Sequence, residues 1–163
     1  MAKNKEEKTN VMRVLEQKKI AYTPHSYPHE EGVAVDGVTV AQSMGFDPAI
    51  VFKTLVARGA SKQYYVFDVP VAANLDLKKA AKAVGEKSIE MIHQKELLPL
   101  TGYVHGGCSP VGMKKLFPTV FHSSAENLAA MIVSAGKIGY QVELAPHDLA
   151  ALVRAKFADI IVE

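Results

Sequence analysis

The sequence predicts a single mixed α/β domain over residues 1–163, with a mostly antiparallel mixed β-sheet or barrel surrounded by helices. Short runs rich in β-branched and aromatic residues outnumber long helical patterns. Several of these runs are separated by polar, glycine-containing segments of hairpin length, the signature of antiparallel neighbours and not of a doubly wound parallel sheet. At 163 residues, 48% hydrophobic and 22% charged, the chain has the volume for one core, with no linker, repeat or low-complexity tract to divide it.

Thr9 or Asn10 is placed to cap a first helix, whose apolar positions Val11, Met12, Leu15 and Ile20 keep close to a 3.6-residue period and whose C-terminal end carries Lys18 and Lys19. The segment from Tyr22 to Tyr27 contains Pro24, which restricts it to an edge strand or an extended entry. Residues 28–37 are polar and glycine-containing and read as a mobile loop. Thr39 is expected to cap a short helix from Val40 to Met44 that stops at Gly45.

Two strands, Val51 to Arg58 and Tyr64 to Val69, form a hairpin across residues 59–63. Asn74 or Asp76 caps an alanine- and lysine-rich helix from Leu77 to Val84 that ends at Gly85. A short apolar piece, Ser88 to Met91, and a helix near Gln94 to Leu98 lead into a glycine-rich stretch. Met131 to Ser134 and Tyr140 to Leu144 pair across residues 136–139, and Asp148 starts a last helix that runs to about Lys156.

The formal charge of +2 argues against indiscriminate coating of nucleic acid and permits a local phosphate-binding patch. Lys78, Lys79, Lys82 and Lys87 cluster in one segment and Lys114 and Lys115 in another, which as ordinary chemistry are a solvated helix face and a polar loop. One cysteine, Cys108, allows no intramolecular disulfide, and scattered histidines without ligand spacing give no metal site. A reducing cytoplasm is the expected setting. The charged start, Met1 to Lys8, lacks the apolar core of a signal peptide, and no apolar run reaches membrane-spanning length.

Two segments stand apart chemically. Lys53 interrupts the apolar run Val51-Phe52-Lys53-Thr54-Leu55-Val56-Ala57, a strand expected to be covered on both faces. An ammonium there is paired, snorkels to solvent, or lines a cleft that receives something anionic or polar. The stretch from Thr101 to Gly112 holds four glycines and Pro110, which forces tight turns that expose backbone N–H groups to an oxyanion, carboxylate or phosphate. It has neither a P-loop nor a dinucleotide fingerprint. Cys108 lies inside it without the surroundings of a catalytic thiol, and the histidines and carboxylates show no triad or paired-acid spacing.

Taken together, Val51-Phe52-Lys53-Thr54-Leu55, Asn74-Leu75-Asp76-Leu77-Lys78-Lys79, the stretch from Thr101-Gly102-Tyr103 through Gly106-Gly107-Cys108-Ser109-Pro110-Val111-Gly112 with Lys114-Lys115, and Val133-Ser134-Ala135-Gly136-Lys137 closely resemble the YbaK/EbsC family. That family comprises Cys-tRNA(Pro) deacylases and relatives of the editing domain inserted in bacterial prolyl-tRNA synthetases, and the resemblance runs from Thr9 to about Ile160. It implies a domain that hydrolyses the ester of a mischarged tRNA, without metal or cofactor, in the company of prolyl-tRNA synthetase. Lys53 is then the essential site residue, with Tyr27, Thr54, Gly106, Gly107, Ser134 and Gln141 as substrate-binding positions. Where Gln141 stands the family pattern can carry an aspartate, which removes a negative charge that could have met the substrate's ammonium. Two other readings follow from the same residues: a deacylase for another small residue such as Ala-tRNA(Pro), and a non-catalytic module that binds tRNA or a synthetase.

Overall fold

In the computed structural model, residues 8–30 and 33–163 are described; the charged start of the chain and Glu31-Gly32 within the expected loop lie outside them. Helix α1 (Asn10–Gln17) opens with the Thr9 hydroxyl accepting from the Met12 N–H at 3.3 Å, and it buries Val11, Met12 and Leu15. Full burial of three such side chains contributes on the order of 2 kcal/mol each. Strand β1 (Thr23–Ser26) is an edge strand, as Pro24 requires. Helix α2 (Gly37–Ser43) starts earlier than expected, because Asp36 and not Thr39 is its cap: Asp36 Oδ2 accepts from the Thr39 N–H at 3.1 Å and from its hydroxyl at 3.2 Å.

The hairpin β2 (Phe52–Gly59) and β3 (Tyr64–Pro70) forms in the expected place. Helix α3 (Leu77–Val84) is capped by Asp76, whose carboxylate accepts from the N–H groups of Lys78 and Lys79, and it ends at left-handed Gly85. Strand β4 (Ile89–Met91) pairs with β2, and α4 (Gln94–Thr101) runs one turn past its expected end to left-handed Gly102. Two short strands escaped the sequence reading: β5 (Thr119–His122), buried throughout and so without alternation, and β8 (Lys156–Ala158). Between them lie the expected hairpin β6 (Met131–Ser134) and β7 (Tyr140–Leu144) and the helix α5 (Pro146–Val153). Helix α5 starts two residues before Asp148 and stops before Lys156, because Arg154 turns left-handed at φ 58° and frees Lys156 to pair with Val120.

The strands form two sheets, ordered β1-β7-β6 and β4-β2-β3-β5-β8. The first is antiparallel throughout; the second is antiparallel from β4 to β3 and parallel from β3 to β8. A parallel bridge between Val51 and Ile132 joins them. Of the two forms expected, this is the open mixed sheet and not a closed barrel among the described residues. One face of the small sheet, Met131, Val133, Val142 and Leu144, packs with Val11, Leu15, Phe52, Phe121 and Leu149 in the main core. On the large sheet, Leu55, Phe67 and Val69 pack under α3, Val51 packs with Ala41 of α2, and Val56 and Val66 pack under the glycine-rich stretch with Cys108.

Candidate functional site

Strand register assembles the site. Side chains alternate along a strand, and directly paired residues share a face. Ile132 is paired with Glu143, Ser134 with Gln141, and Gln141 in turn with His25, so these five occupy the face of the small sheet turned away from the main core. Tyr27, two residues past His25, continues that face, and its backbone N–H donates to the Gly139 carbonyl at 2.9 Å. The bridge between Val51 and Ile132 carries the face across to the large sheet, and Lys53 and Ser134 each lie two residues beyond it in the same chain direction. Lys53, Ser134, Gln141 and His25 thus form one row over β2, β6, β7 and β1, with neighbouring strands about 4.8 Å apart.

Along β2, Lys53 sits between Val51, which packs under α2, and Leu55, which packs under α3, so it emerges in the gap between the two helices. Its ammonium has no hydrogen bond or ion pair among the described residues. Burial holds its pKa below the ordinary lysine value, opposed by the charge of Asp36. Among the described residues, the carboxylate that caps α2 is therefore also the counter-charge felt by Lys53. Sequence reading passed over Asp36; its signal was an Asp three residues before Thr39 at the start of a helical pattern.

Thr54 does not join this row. It lies on the opposite face of β2, where its hydroxyl donates to Asp68 Oδ1 at 2.5 Å. Ser134 does: its Oγ accepts from the Gly136 N–H at 3.1 Å, which leaves its proton free to donate. Gln141 is 8% exposed, and its Oε1 is buried without a donor among the described residues. A buried acceptor of this kind suits a ligand N–H. Gly106, at φ 89°, lies where an added Cβ would be 2.7 Å from the Ala34 Cβ, and one on Gly107 would be 3.1 Å from the Ile138 nitrogen. The two glycines are thus wedged between the segment that leads to Asp36 and the hairpin that joins Ser134 to Gln141.

The histidines, scattered in sequence, are not all scattered in space. His25 Nε2 and Glu143 Oε1 are 2.8 Å apart on the site face, beside Gln141. His29 stands next to that face, its Nδ1 3.0 Å from the Tyr27 carbonyl oxygen, whereas three others serve the fold: His122 Nδ1 accepts from the Ile160 N–H, His93 donates its backbone N–H to Glu96, and His147 bonds the Glu126 carbonyl. No cluster of three or more metal-ligating side chains occurs among the described residues. Cys108 is buried and its thiol is pushed up to about 12, chiefly by desolvation and then by Asp68, which makes it a poor nucleophile. A groove lined by Lys79, Lys82, Ala83, Ala158 and Asp159 shares no residue with this face. Lys79 is tied there to Asp159 at 3.1 Å, while Lys78, Lys82 and Lys87 are exposed, as a solvated helix face would have them.

With this geometry in place, comparisons with known proteins point one way. Residues 32–152 match the model of the aminoacyl-tRNA editing domain. A protein of Enterococcus faecalis assigned as a Cys-tRNA(Pro)/Cys-tRNA(Cys) deacylase, EbsC, is 46% identical over 161 residues, covering 98% of each chain. A crystal structure described as a trans-editing enzyme for prolyl tRNA synthetase superposes with a TM-score of 0.79 at 25% identity, over 94% of this chain and 95% of that one. A hypothetical protein of known structure shares the fold at a TM-score of 0.82 and 18% identity, over 93% and 99% of the two chains.

Proposed function

The chain belongs to the aminoacyl-tRNA editing domain family, and from that membership we propose that it hydrolyses the ester of mischarged Cys-tRNA(Pro) in trans. The observation that carries this reading is the row of Lys53, Ser134 and Gln141, in which an ammonium with no hydrogen-bonding partner among the described residues stands beside a free hydroxyl proton and an orphan acceptor. Such a set binds a polar, partly anionic group and serves no purpose for stability.

Cysteine is close in size to proline, and a pocket discriminates poorly between ligands of nearly equal volume, so a second site is needed to remove the error. The substrate supplies its own nucleophile. Its thiolate attacks the ester carbonyl carbon, forming a C–S bond, and the oxyanion collapses to break the bond to the ribose oxygen, which takes up a proton. Water then opens the resulting cyclic thioester to free cysteine. Lys53 acts as a fixed charge and donor on the terminal ribose or phosphate, and backbone N–H groups of the turn around Gly106 stabilise the oxyanion, the Gly107 N–H itself being given to the Val104 carbonyl. Tyr27 and Gln141 border the amino-acid end. Cys108 has no part in this chemistry.

No helix among the described residues is long and apolar enough to cross a membrane. Cytoplasmic action beside prolyl-tRNA synthetase, with tRNA(Pro) as the carrier of the ester, completes the proposal. The test is hydrolysis of radiolabelled Cys-tRNA(Pro), Cys-tRNA(Cys), Ala-tRNA(Pro) and Pro-tRNA(Pro), with Lys53→Ala as control. Selective loss of cysteinyl esters, abolished in the folded variant, is the expected result. Preference for the alanyl ester would exclude thiol assistance as the main route, and normal turnover by Lys53→Ala would sink the site assignment.

A further inference from the structure

Attack by the substrate's thiol leaves one proton to be moved. It must leave the sulfur as the C–S bond forms, and the ribose oxygen needs one when the ester bond breaks. At the end of the row opposite Lys53 stands a pair of ionisable side chains that the chemistry so far does not use: His25 Nε2 lies 2.8 Å from Glu143 Oε1. The pair does little for the fold. With 20% and 31% of their side-chain surface exposed, the two groups gain little from their attraction, and β1 and β7 are already joined by four paired residues. His25 is paired with Gln141, so its ring stands beside the orphan acceptor at the amino-acid end of the site. Phe46, just past α2, meets the ring edge-on with centroids 4.8 Å apart, so two elements hold it.

We propose that His25 is a further catalytic residue, the base that takes the substrate's thiol proton on Nδ1, with Glu143 as the carboxylate that orients it. The inference rests on the deacylase reading and deepens it. A carboxylate only accepts, so the neutral ring carries its proton on Nε2 and presents Nδ1 as an acceptor. Nδ1 has no hydrogen bond among the described residues. Nucleophile, base and orienting carboxylate in succession activate a weak nucleophile, and here the nucleophile belongs to the substrate. Lys53 and His25 lie three strand spacings apart, about 14 Å between backbones, a span for the lysine side chain, the ribosyl ester and the cysteine side chain to bridge in line. The step balances without a co-reactant. The S–H proton passes to Nδ1 as sulfur bonds to the carbonyl carbon, and the Glu143 charge stabilises the imidazolium that forms. Sulfur and the ribose oxygen then share one carbon, so the same ring is placed to return the proton to that oxygen as the C–O bond breaks. The other titratable groups on or beside this face are Lys53, Asp36, Tyr27 and His29, and none of them hydrogen-bonds the His25 ring among the described residues.

The experiment measures kcat and KM of full-length wild type and variants on Cys-tRNA(Pro), with the urea midpoint of each as the check on folding. His25→Gln keeps a side-chain N–H for Glu143 and loses the base. Its kcat should fall about 10²-fold or more while KM changes less than about twofold, the size of one general acid–base contribution. Glu143→Ala frees the ring and removes the charge that stabilises the imidazolium, and should also lower kcat. His25→Ala opens the place of the ring, and added imidazole should restore its turnover while leaving Lys53→Ala inactive; a ring that only braced β1 could not be replaced by a free imidazole. Retained kcat in His25→Gln or Glu143→Ala, or a His25→Ala that imidazole does not restore, would overturn the proposal and leave the deacylase reading standing. Wild type that hydrolyses no cysteinyl ester would overturn that reading and this inference with it.

Discussion

Lys53 and Asp68 are both ionisable groups in one hairpin, and each works against the stability of the fold. Lys53 loses hydration without gaining a bond among the described residues, which holds its pKa below the ordinary value; the charged form is disfavoured in the folded state, and that penalty persists at neutral pH. Lys53→Met should therefore raise the urea midpoint at pH 7 while hydrolysis is lost, and a lowered midpoint would show that the ammonium stabilises the fold. For Asp68 the sign is the reverse. Its folded pKa of about 7 lies above that of an ordinary aspartate, so its stabilising contribution is complete below about pH 4 and is lost as pH rises to about 7. The urea midpoint of wild type should fall across that window relative to Asp68→Asn; parallel curves would refute the buried neutral carboxyl. Gly106→Ala places a methyl in a left-handed residue 2.7 Å from Ala34, and should cost roughly 1–3 kcal/mol and most of the turnover. At this scale Lys53 was legible because an ammonium in an apolar run is anomalous. Asp36 and Glu143 were not, since single carboxylates in polar surroundings look ordinary until the chain brings them to a partner.

Elements with strong local signals formed where the sequence placed them. Asp76 and Gly85 bracket α3 as cap and left-handed stop, and the hairpins β2–β3 and β6–β7 follow from alternation and turn glycines. Asp76→Ala removes two bonds to helix N–H groups and should lower stability by about 1 kcal/mol, read by urea denaturation, with hydrolysis at saturating substrate retained. Where two caps competed, the stronger acceptor prevailed: the Asp36 carboxylate set the start of α2 at Gly37, three residues before the expected Val40. The strands β5 and β8 have four and three residues, too few for a period, and exist because each is paired in parallel with a neighbour distant in sequence.

For the whole molecule, the junction at Val51 and Ile132 matters most. It joins the two sheets, lies under α2, and sets the register that puts Lys53 beside Ser134. Ile132→Ala should cost about 2–5 kcal/mol through the cavity it leaves, and should reduce kcat by more than a core substitution remote from the site, such as Leu149→Ala, at equal folded fraction. Equal kcat losses would deny the junction a role in aligning the row. The sequence by itself determined the class of the fold, the position of most elements, the anomaly of an ammonium at Lys53 and, through four motifs in order, the family, because caps, alternation and turn glycines act over a few residues. Only the tertiary structure decided which residues meet. The row from Lys53 to His25 spans four strands drawn from three distant parts of the chain, and the face each side chain takes depends on a pairing register that no local pattern encodes.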